Sequence, residues 1–153
     1  MSLWCGEVVS IGVVESVDGE VSVVRVYDRF CGGLHRLSTF SHVIILYWFH
    51  NRDNEEHRSV LRVTPKRHKG APEVGVFASR SPSRPNPIGL CVAELVAVDG
   101  CRLKVKRLDA EPGSPVIDVK PYLPLADSVP DAQIPEYMLH GPFGVDSVFG
   151  GEV

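Results

Sequence analysis

Little in this sequence matches the common signatures of catalysis or cofactor binding. No Gly-x-Gly-x-x-Gly follows a strand pattern and no phosphate-binding loop is present, so a Rossmann-type site for an adenosyl ligand has no support. A Gly-x-Ser-x-Gly nucleophile elbow is also missing. The four cysteines, Cys5, Cys31, Cys91 and Cys101, include no Cys-x-x-Cys pair, which argues against a zinc ribbon or a thioredoxin-like motif. His42, His50, His57 and Asp53 lack zinc-ligand spacing, so no metal is expected. Long apolar runs are scarce too. The longest, Val43 to Phe49, is far too short for a membrane span, and none is expected. The first residues carry no basic region followed by an apolar stretch, so no secretory signal is expected. The chain is then expected in the cytoplasm with its thiols reduced, although four cysteines would suffice for two disulfides.

What is present fits one ordinary globular domain over residues 1–153. Apolar residues make up 44% and charged residues 23%, enough for a real core. The net charge of −3 speaks against a nucleic-acid partner until its distribution is considered. Arg58, Arg62, Lys66, Arg67, Lys69, Arg80 and Arg84 fall in a stretch whose one acid is Glu73, while residues 109–136 are acidic apart from Lys120. A local basic face can hold phosphates on an acidic protein, and the plainer alternative is a solvated surface.

The elements read as mostly β. Val8 to Val14 and Glu20 to Tyr27 are valine-rich, with Asp18-Gly19 as a hairpin turn. Gly33 to Phe40 reads as a helical turn with Leu34, Leu37 and Phe40 on one side. Val43 to Phe49 is apolar throughout, which predicts a strand buried on both faces. Val60 to Val63 and Val74 to Ala78 are short strand candidates. Ile88 to Val98 and Cys101 to Leu108 form a hairpin about Asp99-Gly100, and Pro115 to Val119 is a further strand. Glu136 to His140 reads as a helical turn. Short strands, 14 glycines and 12 prolines predict a mainly β fold: a single small closed or nearly closed β-barrel with a few short helical turns.

Three segments stand out as chemistry-bearing. In Gly75-Val-Phe-Ala-Ser-Arg-Ser-Pro-Ser-Arg-Pro-Asn-Pro-Ile-Gly-Leu90, Pro82, Pro85 and Pro87 stiffen a loop that carries Arg80 and Arg84. Such a loop has little entropy left to lose on binding, and its guanidinium groups suit a carboxylate or phosphate. The alternative is a connecting loop and nothing more. In Leu108 to Tyr122, Pro112-Gly113 signals a turn whose backbone can approach a ligand, and Asp118 and Lys120 share one strand face. The plain reading of those two is a surface ion pair. In Phe40 to His50, His50 and Asn51 end the apolar strand, where they either line a pocket or simply reach solvent.

Taken in order, Phe40-Ser-His42 with the strand ending at His50, Gly75 to Gly89, and Gly113-Ser-Pro-Val-Ile-Asp-Val-Lys-Pro-Tyr122 resemble the TrmO/TsaA-like family of β-barrel tRNA methyltransferases. The resemblance spans roughly residues 8 to 131. It implies a barrel that forms a homodimer, with S-adenosylmethionine bound near the subunit interface, and N6-methylation of N6-threonylcarbamoyladenosine beside the anticodon of tRNA. By motif, it implies that His50, Asn51, Arg80, Leu90, Gly113, Ser114, Pro115 and Val116 hold the methyl donor. Asp118, Lys120 and Tyr122 are the catalytic candidates. Arg84, Asn86, Lys66, Arg67 and Lys69 are the candidates for meeting the RNA. Two departures from the family pattern are visible. Its proline-rich loop between the first two strands is replaced by a short passage through Asp18-Gly-Glu20, and Asp109-Ala-Glu-Pro-Gly113 replaces the usual Asp-Gly approach to the third segment. Other functions therefore stay open: a non-catalytic module binding S-adenosylmethionine or RNA, or a methyltransferase for a small molecule or protein.

Overall fold

The valine-rich stretch near the start of the chain forms two antiparallel strands, β1 (Gly12–Asp18) and β2 (Val21–Val26). Their turn lies where Asp18-Gly19 predicts it, with Gly19 at φ +60°, a conformation that favours glycine. β1 starts later than the expected Val8; Val8 and Val9 lie exposed ahead of it. This computed structural model describes residues 1–139. After β2 the chain makes two 3-10 turns, Asp28–Leu34 and Leu37–Thr39, where the sequence predicts one. Leu37 is buried and Leu34 packs on the core, but Phe40 is exposed. There follow β3 (His42–Trp48), a 3-10 turn at His50–Arg52, α1 (Glu55–Arg58), β4 (Arg62–Val63) and β5 (Val74–Gly75). A 3-10 turn, Val76–Ala78, occupies the second half of the strand expected from Val74 to Ala78. The remaining elements are β6 (Ile88–Asp99), β7 (Arg102–Lys106), β8 (Pro115–Pro121), α2 (Pro124–Asp127) and a 3-10 turn at Glu136–Met138. His140, the end of the predicted last turn, lies outside the described residues. Among the described residues no helix is long and apolar enough to cross a membrane.

The fold is mainly β, as the sequence predicts. Six strands close into an antiparallel barrel in the order β1-β2-β7-β6-β3-β8, with β1 and β8 meeting at Gly12↔Val116 and Val13↔Pro115. Closure leaves none of these strands with an open edge. Contacts divide the chain into this barrel unit, Met1–Asn51 with Pro87–Asp127, and a second unit, Arg52–Asn86 with residues 128–139. The second unit contains α1 and the two-stranded sheet β4-β5.

Alternation explains which side chains fill the barrel. In β2, Ser22, Val24 and Val26 point inward, and in β7 Leu103 and Val105 do the same while Arg102 and Lys104 face water. With Val14, Val43, Ile45, Tyr47 and Val116 they form one core. β3 departs from the sequence expectation. Only Val43, Ile45 and Tyr47 are buried, whereas Ile44, Leu46 and Trp48 are half-buried, because a barrel strand has one inner face.

The cysteines require a second correction. Cys31 and Cys101, 70 residues apart in sequence, are joined as a disulfide. The first 3-10 turn lies beside the β6–β7 turn, which brings the two Cα atoms to 5.3 Å, within bridging range. Cys5 and Cys91 are free thiols. Burial is the main influence on Cys91 and pushes its thiol up from its ordinary value.

Candidate functional site

The register of the barrel sorts the candidate residues into groups. On β3, Leu46 faces Leu90 of β6 on one side and Asp118 of β8 on the other. One row along, Ile44 faces Val92 and Lys120. Directly opposed residues point to the same face of a sheet. Asp118, Lys120 and Leu90 therefore share the outer wall of the barrel with Ile44, Leu46 and Val92. Tyr122 continues this row: its backbone N–H donates to the His42 carbonyl at 3.1 Å, and its ring meets the His42 ring edge-on.

This wall is built in an unusual way. On β6 the inward positions hold the small residues Gly89, Cys91 and Ala93, while the outward ones hold Ile88, Leu90 and Val92. The reason lies in Tyr47. A Cβ at Gly89 would stand 2.5 Å from the Tyr47 ring, so only glycine leaves room for it. The Tyr47 hydroxyl donates to the Asp109 carbonyl and ties β3 to the segment leading into β8. Ile88, Leu90 and Val92 remain 41%, 47% and 42% exposed, a contiguous apolar strip beside Asp118 and Lys120. The sequence reading missed Ile44, Leu46, Ile88 and Val92 as parts of this surface. The alternation of small and large residues along β6 was the signal that could have found them.

Asp118 and Lys120 form an ion pair, with Lys120 Nζ 2.9 Å from the carboxylate. The hydrogen bond to Asp118 raises the Lys120 pKa above its ordinary value. Asp118 also accepts a hydrogen bond from the Val119 N–H at 2.9 Å.

A second group gathers where β3 ends. Glu111-Pro112-Gly113-Ser114 forms a tight turn, closed by Ser114 N–H to the Glu111 carbonyl at 3.1 Å, with Gly113 at φ +87°. The Ser114 hydroxyl donates to the same carbonyl at 2.6 Å. His50 Nε2 lies 4.0 Å from where a Gly113 Cβ would sit, and Asn51 donates to the Glu111 carboxylate at 2.6 Å. His50, Asn51 and Gly113 are thus brought together at this turn. Val116 is fully buried in the core, so its side chain is structural. Pro115 pairs with Val13 on the β1–β8 seam.

The remaining candidates belong to the second unit. Arg80 is exposed, and Arg84 is folded back onto its own loop. The Asn86 side-chain oxygen accepts from Arg58 at 3.5 Å. Lys66, Arg67 and Lys69 are exposed between β4 and β5. The α1 helix that braces the proline-rich loop was not anticipated. Its sequence signal was Asn54, which caps it by accepting the His57 N–H at 2.9 Å.

Comparison with known proteins assigns the fold to a family. The model of the tRNA-methyltransferase O N-terminal domain matches residues 11–128. The chain belongs to the TrmO N-terminal domain family. Among its relatives, an S-adenosyl-L-methionine-binding protein of Archaeoglobus fulgidus is 49% identical over 71% of this chain and 74% of its own length. The tRNA (adenine(37)-N6)-methyltransferase of Escherichia coli is 42% identical over 79% of this chain and 52% of its own. A crystal structure of TrmO from Pseudomonas aeruginosa superposes with a TM-score of 0.65 at 28% identity, covering 85% of this chain and 62% of that one. The chain thus spans about half of the Escherichia coli enzyme and under two thirds of the solved TrmO chain. In this barrel β1 and β2 are joined by a tight turn.

Proposed function

We propose that this chain binds S-adenosylmethionine and methylates N6 of N6-threonylcarbamoyladenosine beside the anticodon of tRNA. Support comes from family membership and from the relatives named for binding this donor and for methylating adenine 37. The observation that carries the reading is the register itself. Three residues of the third motif, Asp118, Lys120 and Tyr122, share one wall with Leu90, the apolar donor candidate. The turn at Gly113 suits such a donor. Its positive φ keeps the position free of a side chain, with His50 beside it. His50, Asn51, Leu90 and the backbone of Gly113 to Val116 would hold the donor, and the motif adds Arg80 to them.

S-adenosylmethionine supplies a methyl group on a sulfonium. The N6 of the acylated adenosine is a poor nucleophile, because its lone pair is delocalised. Asp118 is the candidate base that takes the N6 proton as the N–C bond forms and the C–S bond breaks, leaving S-adenosylhomocysteine. Lys120, paired with Asp118, would stabilise negative charge developing on the carbamoyl group. Lys66, Arg67 and Lys69 would meet tRNA phosphates. A second copy of the chain would cover the apolar strip of Ile88, Leu90 and Val92, making a homodimer over one domain of residues 1–153.

Mass analysis of tRNA nucleosides after incubation with labelled donor tests the whole reading: label in the modified adenosine is expected, and its absence would sink the transfer step. Full turnover of Asp118→Asn at saturating donor and tRNA would remove the base role. Binding to tRNA should weaken steeply with salt, with a shallower slope once Lys66, Arg67 and Lys69 are alanine. One observation favours a second reading, a domain that binds the donor without transfer: the short β1–β2 turn. That reading expects calorimetric binding of S-adenosylmethionine and no release of S-adenosylhomocysteine with any tRNA.

A further inference from the structure

The two arginines of the proline-rich loop stand in different environments. Arg84 is partly buried, and its Nη1 donates to the carbonyls of Ser79 at 3.0 Å and Ser81 at 3.2 Å. Those two residues flank Arg80. Arg80 is exposed and makes no hydrogen bond or ion pair among the described residues. One guanidinium is committed to its own backbone, and the other is left for a ligand.

The rest of the loop is tied down in the same manner. The Ser81 N–H donates to Ser79 Oγ and the Ser83 N–H to Ser81 Oγ, each at 3.3 Å. Ser79 Oγ donates to the Val76 carbonyl at 3.0 Å. On the α1 side, Arg58 Nε donates to the Pro85 carbonyl at 3.0 Å. His57 Nδ1 meets Ser83 Oγ at 2.9 Å, and its Nε2 lies 3.3 Å from Arg52 Nη1. A guanidinium can only donate, so Nε2 is the acceptor in the Arg52 contact, and Nδ1 is left to hold Ser83. Pro82, Pro85 and Pro87 restrict the backbone between these ties.

We infer that Arg84 is a positioning residue: it locks the backbone on both sides of Arg80, so that Arg80 alone meets the methyl donor and Arg84 never touches it. The inference rests on the reading above that Arg80 contacts the donor. A direct role for both arginines would make their losses independent, whereas a role through Arg80 makes the loss of Arg84 matter only while Arg80 is present.

The test is a double-mutant cycle on the full chain, reading S-adenosylmethionine affinity by titration calorimetry for wild type, Arg80→Ala, Arg84→Ala and the double variant. Arg84→Ala is expected to weaken binding about tenfold in the wild-type background, because preorganisation is lost, and by less than about twofold when Arg80 is already alanine. Losses that add in full would overturn the inference. Ser83→Ala releases the tether to His57 without touching an arginine and gives the same cycle if Arg84→Ala does not fold; about a threefold loss is expected, again only with Arg80 in place. Amide exchange at Ser81 and Ser83 should speed up in Arg84→Ala even without donor, and unchanged exchange also counts against the inference. No donor binding by the wild-type chain would instead overturn the reading on which it rests, while wild-type binding that Arg84→Ala and Ser83→Ala leave untouched would overturn this inference alone.

Discussion

The two faces of β3 are equally apolar in sequence, yet they meet opposite conditions. Val43, Ile45 and Tyr47 face the barrel core and are almost wholly buried, while Ile44, Leu46 and Trp48 face outward and are half-covered. Across the register, the inner face meets Gly89, Cys91 and Ala93 and the outer face meets Ile88, Leu90 and Val92. Inside, bulk comes from β3 and β6 makes room for it; outside, both strands present bulk. An apolar strip left open beside an Asp–Lys pair has the character of an interaction surface.

The largest break in this comparison should come from the inner face. Ile45→Ala leaves a void in a closed core and is expected to cost about 3 kcal/mol, a fall in Tm of about 10 °C by calorimetry. Leu46→Ala, its outward neighbour, should cost less than about half of that; equal losses would erase the distinction between the faces. Gly89→Ala comes next. Its new Cβ meets the Tyr47 ring at 2.5 Å and the Phe49 ring at 2.9 Å, so a loss of about 2 kcal/mol is expected, and only the part due to Phe49 should persist in the Tyr47→Leu background.

Val92→Asp sharpens the comparison from outside. It should leave the far-ultraviolet circular dichroism intact and, under the proposed homodimer, shift sedimentation from dimer to monomer; a variant that sediments as the wild type does would count against the outer wall as the dimer contact. The smallest expected effect lies on another part of the wall, where Arg102 holds Glu15 through two hydrogen bonds at 2.8 and 3.0 Å, with Arg25 at 3.6 Å. The hydrogen bond from Arg102 is the main cause holding this carboxyl below its ordinary 4.5. The unfolded chain binds the proton more tightly. The contribution of Glu15 is therefore present above pH 4.5 and fades as pH falls through the lowered folded value. Glu15→Gln should lower stability slightly at neutral pH, leave it unchanged well below the lowered folded value, and so flatten the acid limb of the stability profile.

Much of the fold was readable residue by residue. The Asp18-Gly19 and Asp99-Gly100 turns, the alternation of Leu103 and Val105 with Arg102 and Lys104, and the shared face of Asp118 and Lys120 follow from local rules of strand and turn. The 3-10 turn at Val76–Ala78 was less legible, because Val76 is as apolar as a strand residue and its burial comes from packing. The site was legible only in pieces. Pro112-Gly113 announced a turn, but not that His50 lies beside it, and the loop prolines announced stiffness, but not which arginine would be left free.

From sequence alone came the β class, the hairpin turns, the stiff arginine loop and the three motifs, since each depends on residues near one another along the chain. Only the tertiary structure decided that Cys31 bridges to Cys101, that one face of β3 is only half-covered, that Leu90 lines up with Asp118 through Leu46, and that Arg84 turns inward on its own loop. The physical reason is shared. Barrel closure and loop folding set which partner each side chain meets, and a sequence pattern records the periodicity of a face without recording what lies opposite it.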